Sequence, residues 1–204
     1  MNAVETVMRT APVIPVLVIE NAEYAQPIAK ALVAGGLPVL EVTLRTAAAL
    51  DVIAEMKKVP GAIVGAGTVL DVASLESAMA AGAEFIVSPG LTDTLGKAAI
   101  AKGIPLLPGI ANAGDIMRGL DMGLTHFKFF PAMANGGLPA LKSLIGPFGQ
   151  CKFCPTGGIS QENAAEWLAL EQVLCVGGSW LVGKGEPDSA AIEAAARAAS
   201  ALRV

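Results

Sequence analysis

Pro12-Val13-Ile14-Pro15-Val16-Leu17-Val18-Ile19-Glu20-Asn21-Ala22 begins as an apolar run of strand length and leads into a helical stretch over 23–34. The join, Ile19-Glu20-Asn21-Ala22, carries no G-x-G-x-x-G. An open doubly wound sheet built for a dinucleotide places that phosphate fingerprint at the first strand-to-helix turn. Its lack here counts against the open sheet and in favour of a closed barrel.

The same strand-then-helix pattern recurs along the chain. Further β-rich runs start near Val39, Ala62, Phe85, Pro105, His126, Lys152 and Val173, at intervals of about 20 to 27 residues, which is room for one strand, one helix and two short loops. Helical segments are expected over 47–58, 73–81, 93–101, 113–122, 139–145 and 161–169, and an alanine-rich one over 189–202 closes the chain. Eight strands alternating with eight helices predict an α/β fold, a single (β/α)8 TIM barrel over residues 1–204 with residues 1–10 as a short N-terminal cap. At 204 residues the barrel is compact, below the ~250 typical of the fold.

Composition narrows the function classes. Hydrophobic residues make up 53% of the chain and charged residues 16%, so a large core is available. The net charge of −4 and the scattered lysines and arginines provide no basic stripe, so no nucleic-acid partner is expected. No apolar run reaches transmembrane length and the start lacks the pattern of a signal peptide, so no membrane partner and a cytoplasmic location are expected. Cys151, Cys154 and Cys175 fit a reducing compartment. Cys151 and Cys154 have C-x-x-C spacing, but a separation of three along a strand points the thiols to opposite faces. With His126 the only histidine and no second cysteine pair, no metal site is expected.

Charges inside the predicted barrel are the candidates for chemistry, which in this fold sits at the carboxyl ends of the strands. In Val39-Leu40-Glu41-Val42-Thr43-Leu44-Arg45, alternation places Glu41, Thr43 and Arg45 on the inner face and the apolar set against the helices. In Thr125-His126-Phe127-Lys128-Phe129-Phe130-Pro131-Ala132, Lys128 shares a face with His126 and Phe130. One reading is a structural Glu41–Arg45 pair, or a pair extending to Lys128. The other is a lysine nucleophile with a carboxylate for proton transfer, which is Schiff-base chemistry on a carbonyl compound and needs no cofactor. The amine attacks only when neutral, a form that desolvation by the Phe127 to Phe130 run favours. A touching carboxylate would oppose that, so Glu41 is expected to stand off from Lys128 and reach the substrate through a water or hydroxyl.

Two glycine pairs, Gly157-Gly158 and Gly177-Gly178, end the seventh and eighth predicted strands. Loops at these positions cradle phosphate in many barrels. The stretch Gly178 to Lys184 has P-loop spacing, but Gly185 stands where a P-loop has Ser or Thr, and the match is read as coincidence.

Six motifs spread over nearly the whole chain then bring a family into view: Glu41-Val-Thr-Leu-Arg45-Thr46, Val64-Gly-Ala-Gly-Thr68-Val69, Ser88-Pro-Gly-Leu-Thr92, Phe127-Lys128-Phe-Phe-Pro-Ala132, Phe153-Cys-Pro-Thr-Gly-Gly-Ile159 and Gly177-Gly-Ser-Trp180. The chain resembles the bacterial 2-dehydro-3-deoxy-6-phosphogluconate (KDPG) aldolases, class I aldolases of the Entner-Doudoroff pathway. The resemblance implies Lys128 as Schiff-base nucleophile and Glu41 as general acid/base. It implies substrate contacts from Arg45, Thr68, Pro89, Phe130 and Thr156, and phosphate contacts from Gly157, Gly158 and Ser179. It further implies a phosphorylated 2-keto acid substrate, activity on 4-hydroxy-2-oxoglutarate, no cofactor and a homotrimer. A phosphate-binding barrel isomerase or epimerase, a 2-dehydro-3-deoxy-6-phosphogalactonate aldolase and a sugar-phosphate binding protein remain as alternatives.

Overall fold

A computed structural model of the chain describes residues 3–202. Its strands are β1 (Val13–Leu17), β2 (Val39–Thr43), β3 (Ile63–Gly67), β4 (Phe85–Val87), β5 (Leu106–Leu107), β6 (Gly109–Ile110), β7 (His126–Phe129), β8 (Lys152–Pro155) and β9 (Val176–Gly178). The helices are α1 (Ala3–Thr10), α2 (Ala25–Ala34), α3 (Ala49–Met56), α4 (Val72–Ala80), α5 (Asp93–Ala101), α6 (Ala113–Asp121), α7 (Gly137–Ile145), α8 (Ala164–Leu168) and α9 (Ser189–Ser200). A single 3-10 turn, Ala22–Tyr24, precedes α2.

All pairings are parallel. The strands run β5-β4-β3-β2-β1-β9 in one sheet and β6-β7-β8 in the other. Two seams join them into a ring. At one, β5 and β6 are halves of a single strand interrupted at Pro108, which has no N–H to give the ladder. The Pro108 carbonyl still accepts from Lys128 N at 2.8 Å. At the other seam the bridges Phe153↔Val173 and Thr156↔Gly177 tie β8 to the segment of β9. The result is the eight-position TIM barrel expected from the strand count.

Two differences from the expected elements have local causes. The final strand starts at Val176 rather than Val173: Val173 closes a turn onto Leu170 O (2.9 Å) and makes only an isolated bridge to Phe153. The second strand stops at Thr43, so Leu44 and Arg45 lie in a turn.

Strand alternation separates two apolar cores. Leu40, Val42, Val64, Ala66, Ile86, Phe127, Phe129 and Phe153 face outward against the helices, with Trp167 of α8 beside Phe129. Ile14, Val39, Phe85, Val87, Leu107, Cys154 and Cys175 form a separate inner cluster. Cys151 falls in the outer core and Cys154 in the inner one, as their spacing predicts. Burial alone pushes the Cys151 thiol up.

Four of the helices that follow a strand begin on a side-chain cap that satisfies otherwise orphaned N–H groups. Asp71 and Ser74 form a capping box at α4, while Thr92, Asn112 and Asp188 cap α5, α6 and α9. The helical ring closes where α9 meets the end of α2. A Cβ on Gly35 would overlap that of Ala196, so only glycine permits the approach.

Of the expected cap over residues 1–10, Met1 and Asn2 lie outside the described residues. The rest is α1, which inserts Val4, Val7 and Met8, spaced to share one helix face, into the inner cluster. It thereby stoppers the end of the barrel opposite the βα loops. His126 is buried at this end, with Nδ1 3.1 Å from Thr125 Oγ1 and Nε2 3.8 Å from Glu5 Oε2 of α1.

Burial lowers the His126 pKa below its usual 6.5, outweighing the upward pull of Glu5, while Arg9 and Lys152 add to the lowering. The unfolded chain therefore binds this proton more readily than the folded one. The histidine's share of stability is complete above about pH 6.5 and is lost as pH falls below it. Urea denaturation of wild type between about pH 7 and pH 5 should show a fall in stability that is absent in His126→Gln. Equal slopes in the two proteins would refute this assignment.

Candidate active site

Lys128 on β7 and Glu41 on β2 point into the lumen, as alternation predicts. Going round the ring, three strand positions separate β2 from β7 in either direction, so the two side chains face each other across the barrel. Lys128 Nζ donates to Glu41 Oε1 at 2.9 Å. The residues are 6% and 3% exposed, which makes this a buried ion pair. The expectation that Glu41 stands off from the amine is therefore corrected. Two long side chains on opposite walls of a narrow barrel reach each other directly, and each buried charge needs the other.

The aromatic surroundings also differ from expectation. Phe127 and Phe129 pack outward, away from the amine. Phe130, just past the end of β7, places its ring centroid 5.5 Å from Nζ, within cation–π range. Lys128 is desolvated by its depth in the lumen, where its register partner on β8 is Cys154.

The remaining candidates follow the ends of successive strands. Thr43 faces inward and donates its hydroxyl to Leu17 O at 2.9 Å. Arg45, expected inside the barrel, is exposed in the turn after β2. That location corrects its inward placement and removes the proposed Glu41–Arg45 pair, for Glu41 is engaged by Lys128. Thr68 is half-buried beyond β3, and Pro89 is half-buried beyond β4, its carbonyl so close over Gly109 that a side chain there would overlap it.

The two glycine pairs prove unlike. Gly157 and Gly158 have φ of 102° and 76°, a left-handed backbone suited to glycine. Their carbonyl side is tied down: Gly157 O accepts from Met133 N at 3.0 Å and Gly158 O from Asn163 Nδ2 at 3.1 Å. Among the described residues, no protein acceptor takes the N–H of either glycine. Gly177 and Gly178 instead lie within β9, where an added Cβ would overlap Thr156 Oγ1 and the Trp180 ring respectively. Their glycine identity answers to packing, which corrects the expectation of two equivalent phosphate turns. Ser179 is exposed directly after β9, and the Thr156↔Gly177 bridge brings the two loops together. The space-making role of Gly177 was not foreseen, because a glycine in a sequence does not reveal which neighbour needs its room.

Thr68 has a φ of 58°, a conformation that a β-branched residue rarely adopts. It is pinned on both sides: Gly67 O accepts from Leu44 N at 2.8 Å, and Val69 N donates to Val87 O at 3.2 Å. The left-handed conformation costs roughly 1–2 kcal/mol, while glycine in its place costs about 0.4–1 kcal/mol through the unfolded chain. Thr68→Gly should therefore raise unfolding stability by up to about 1 kcal/mol in urea titration. A loss of stability would show that Thr68 is unstrained.

The geometry matches known proteins. The family model for KDPG and KHG aldolase matches residues 4–195. The chain is 60% identical over 203 residues to the 2-dehydro-3-deoxy-phosphogluconate aldolase of Zymomonas mobilis, covering all of this chain (100%) and 98% of that protein. A crystal structure of the Zymomonas mobilis aldolase with 3-phosphoglycerate superposes with a TM-score of 0.97, over 98% of this chain and 96% of that one. The KDPG aldolase of Legionella pneumophila, crystallised with pyruvate captured as a covalent carbinolamine, is 46% identical, with a TM-score of 0.94 and 98% of both chains covered. With the barrel, the buried lysine–carboxylate pair and the full-length likeness in agreement, this chain belongs to the KDPG and KHG aldolase family.

Proposed function

We propose that the chain is a class I aldolase that cleaves 2-dehydro-3-deoxy-6-phosphogluconate to pyruvate and glyceraldehyde 3-phosphate, and that it also accepts 4-hydroxy-2-oxoglutarate. The observation that carries this reading is the 2.9 Å contact between Lys128 Nζ and Glu41 Oε1 inside the lumen. It joins a nucleophile directly to a proton acceptor. The pyruvate carbinolamine of the Legionella relative and the phosphorylated three-carbon acid in the Zymomonas structure support the same chemistry.

The contact gives the reaction its first step. Lys128 passes a proton to Glu41, and the neutral amine adds to the C2 ketone to form a carbinolamine. The protonated Glu41 then delivers a proton to the C2 hydroxyl, water leaves, and a cationic iminium remains. Glu41, again a carboxylate, accepts the proton of the C4 hydroxyl. The C3–C4 bond breaks, its electron pair moves into the iminium, and glyceraldehyde 3-phosphate departs. The resulting enamine takes a proton at C3, and hydrolysis returns pyruvate and the free amine.

In this reading Arg45 and Thr68 hold the carboxylate of the pyruvate half. Arg45 is exposed in the turn just past the end of β2, at the mouth where that carboxylate would sit. Thr156, Phe130 and Pro89 line the path between the two halves. The N–H groups of Gly157 and Gly158, with Ser179, take the phosphate at the rim. No helix among the described residues is long and apolar enough to cross a membrane. We further propose a cytoplasmic homotrimer, which light scattering tests by its mass.

Borohydride added with pyruvate should trap a stable adduct on the peptide carrying Lys128. An unmodified peptide would overturn the Schiff-base assignment in favour of an isomerase or epimerase. Glu41→Gln should lower kcat by about 10²–10⁴-fold, the usual contribution of a positioned acid/base. Retention of near-wild-type kcat in a coupled pyruvate assay would remove Glu41 from that role. Breaking a buried pair costs about 3–5 kcal/mol, whereas replacing both partners with apolar residues does not. Lys128→Met/Glu41→Leu should therefore unfold at higher urea than Lys128→Met alone. The reverse order would show that the pair is not electrostatically coupled.

A further inference from the structure

We propose that Gly67 is a positioning residue for the reaction: by having no side chain, it keeps open the place from which the Glu41 carboxylate reaches Lys128. The proposal rests on the assignment of Glu41 and Lys128 given above. The strands β2 and β3 are parallel neighbours with Glu41 opposite Gly65 and Thr43 opposite Gly67. All four residues thus share the lumen face. A Cβ built on Gly67 would overlap Glu41 Oε1, the oxygen that accepts from Lys128, and would stand 2.7 Å from Cγ and 2.9 Å from Cδ. Three atoms of one side chain fill the space that any other residue at position 67 would need.

The backbone does not explain the glycine. Gly67 is not among the residues with positive φ, so its own conformation is open to any amino acid. Nor can the strand end readily move aside, because the Leu44 N to Gly67 O bond (2.8 Å) ties it to the turn after β2 and the Val69 N to Val87 O bond (3.2 Å) ties the next residues to β4. Glu41 is 3% exposed and anchored by Lys128. With the backbone fixed, an added methyl group must displace the carboxylate. Gly65, two residues earlier on the same strand and face, makes room for something different. A Cβ there would meet the Phe85 ring, 2.5 Å from Cε1 and from Cε2, within the inner apolar cluster. Gly65 therefore serves as a packing glycine of matching exposure and strand context.

The test compares Gly67→Ala with Gly65→Ala in pyruvate-release kinetics, pH–rate profiles and thermal unfolding. Displacement of a catalytic group by about 1 Å costs on the order of a hundredfold. Gly67→Ala should accordingly lose about that factor in kcat and shift its pH–rate profile. Gly65→Ala should lower Tm while its folded fraction keeps wild-type kcat and pH profile. A second measurement keeps the proposal testable should Gly67→Ala fold poorly. In a Glu41→Ala background the collision is removed, so adding Gly67→Ala should lower Tm much less than it does in wild type. The proposal is overturned if Gly67→Ala keeps the wild-type kcat and pH profile, or if its Tm loss is the same in both backgrounds. Failure of the aldolase reading looks different: wild type itself would release no pyruvate and form no borohydride adduct, while the Tm coupling between positions 67 and 41 would still appear.

Discussion

Two opposite charges meeting in the lumen of a barrel set the terms for everything around them. Either charge left alone at that depth would cost several kcal/mol, and the contact between Lys128 and Glu41 at 2.9 Å resolves both at once. That resolution requires strands on opposite walls, a lumen narrow enough for the side chains to span, and neighbours that leave them room. The ring closed at Pro108 and at Thr156↔Gly177 supplies the geometry, and the missing side chain of Gly67 supplies the room. The inner apolar cluster fills the lumen below, so the polar part of the interior lies toward the βα loops.

The loops at that mouth share one construction. Each candidate residue sits within a few positions of a strand end, and backbone or side-chain bonds fasten several of these strand ends and loops to a neighbour. Ala132 N donates to Thr156 O at 2.8 Å, joining the loop after Lys128 to the glycine turn. Asn135 Nδ2 donates to Ala111 O at 2.6 Å, extending the tie to the loop after β6. Such ties stiffen this part of the rim, and the strain at Thr68 persists because both of its flanks are held by backbone bonds to neighbouring segments.

Much of this was legible in the sequence, and the reasons can be stated residue by residue. Strand spacing and alternation are local properties, so the barrel, the inward direction of Glu41 and Lys128, and the division of Cys151 from Cys154 could be read directly. What could not be read were distances across the barrel. The standoff expected between Glu41 and Lys128 came from asking what keeps an amine neutral; in the narrow lumen the two side chains meet, because each buried charge needs the other. Arg45 was misplaced because alternation was carried two residues past the point where the strand turns away. Gly177 resembled Gly157 in spacing alone; its backbone angle and its neighbour Thr156 separate them, and neither is written in the order of residues.

The helix at the start of the chain has a consequence for traffic. With Val4, Val7 and Met8 of α1 seated in the inner cluster, the barrel is a cup with one opening. In the proposed reaction the pyruvate half is bonded to Lys128 in the depth of the cup and the phosphate half rests at the rim. Both fragments must leave by the same door, and the one nearer the rim stands in the way of the other. Release is then sequential, aldehyde before keto acid, and in the synthetic direction pyruvate must be loaded first. An architectural stopper at one end of the barrel thereby imposes a kinetic order at the other.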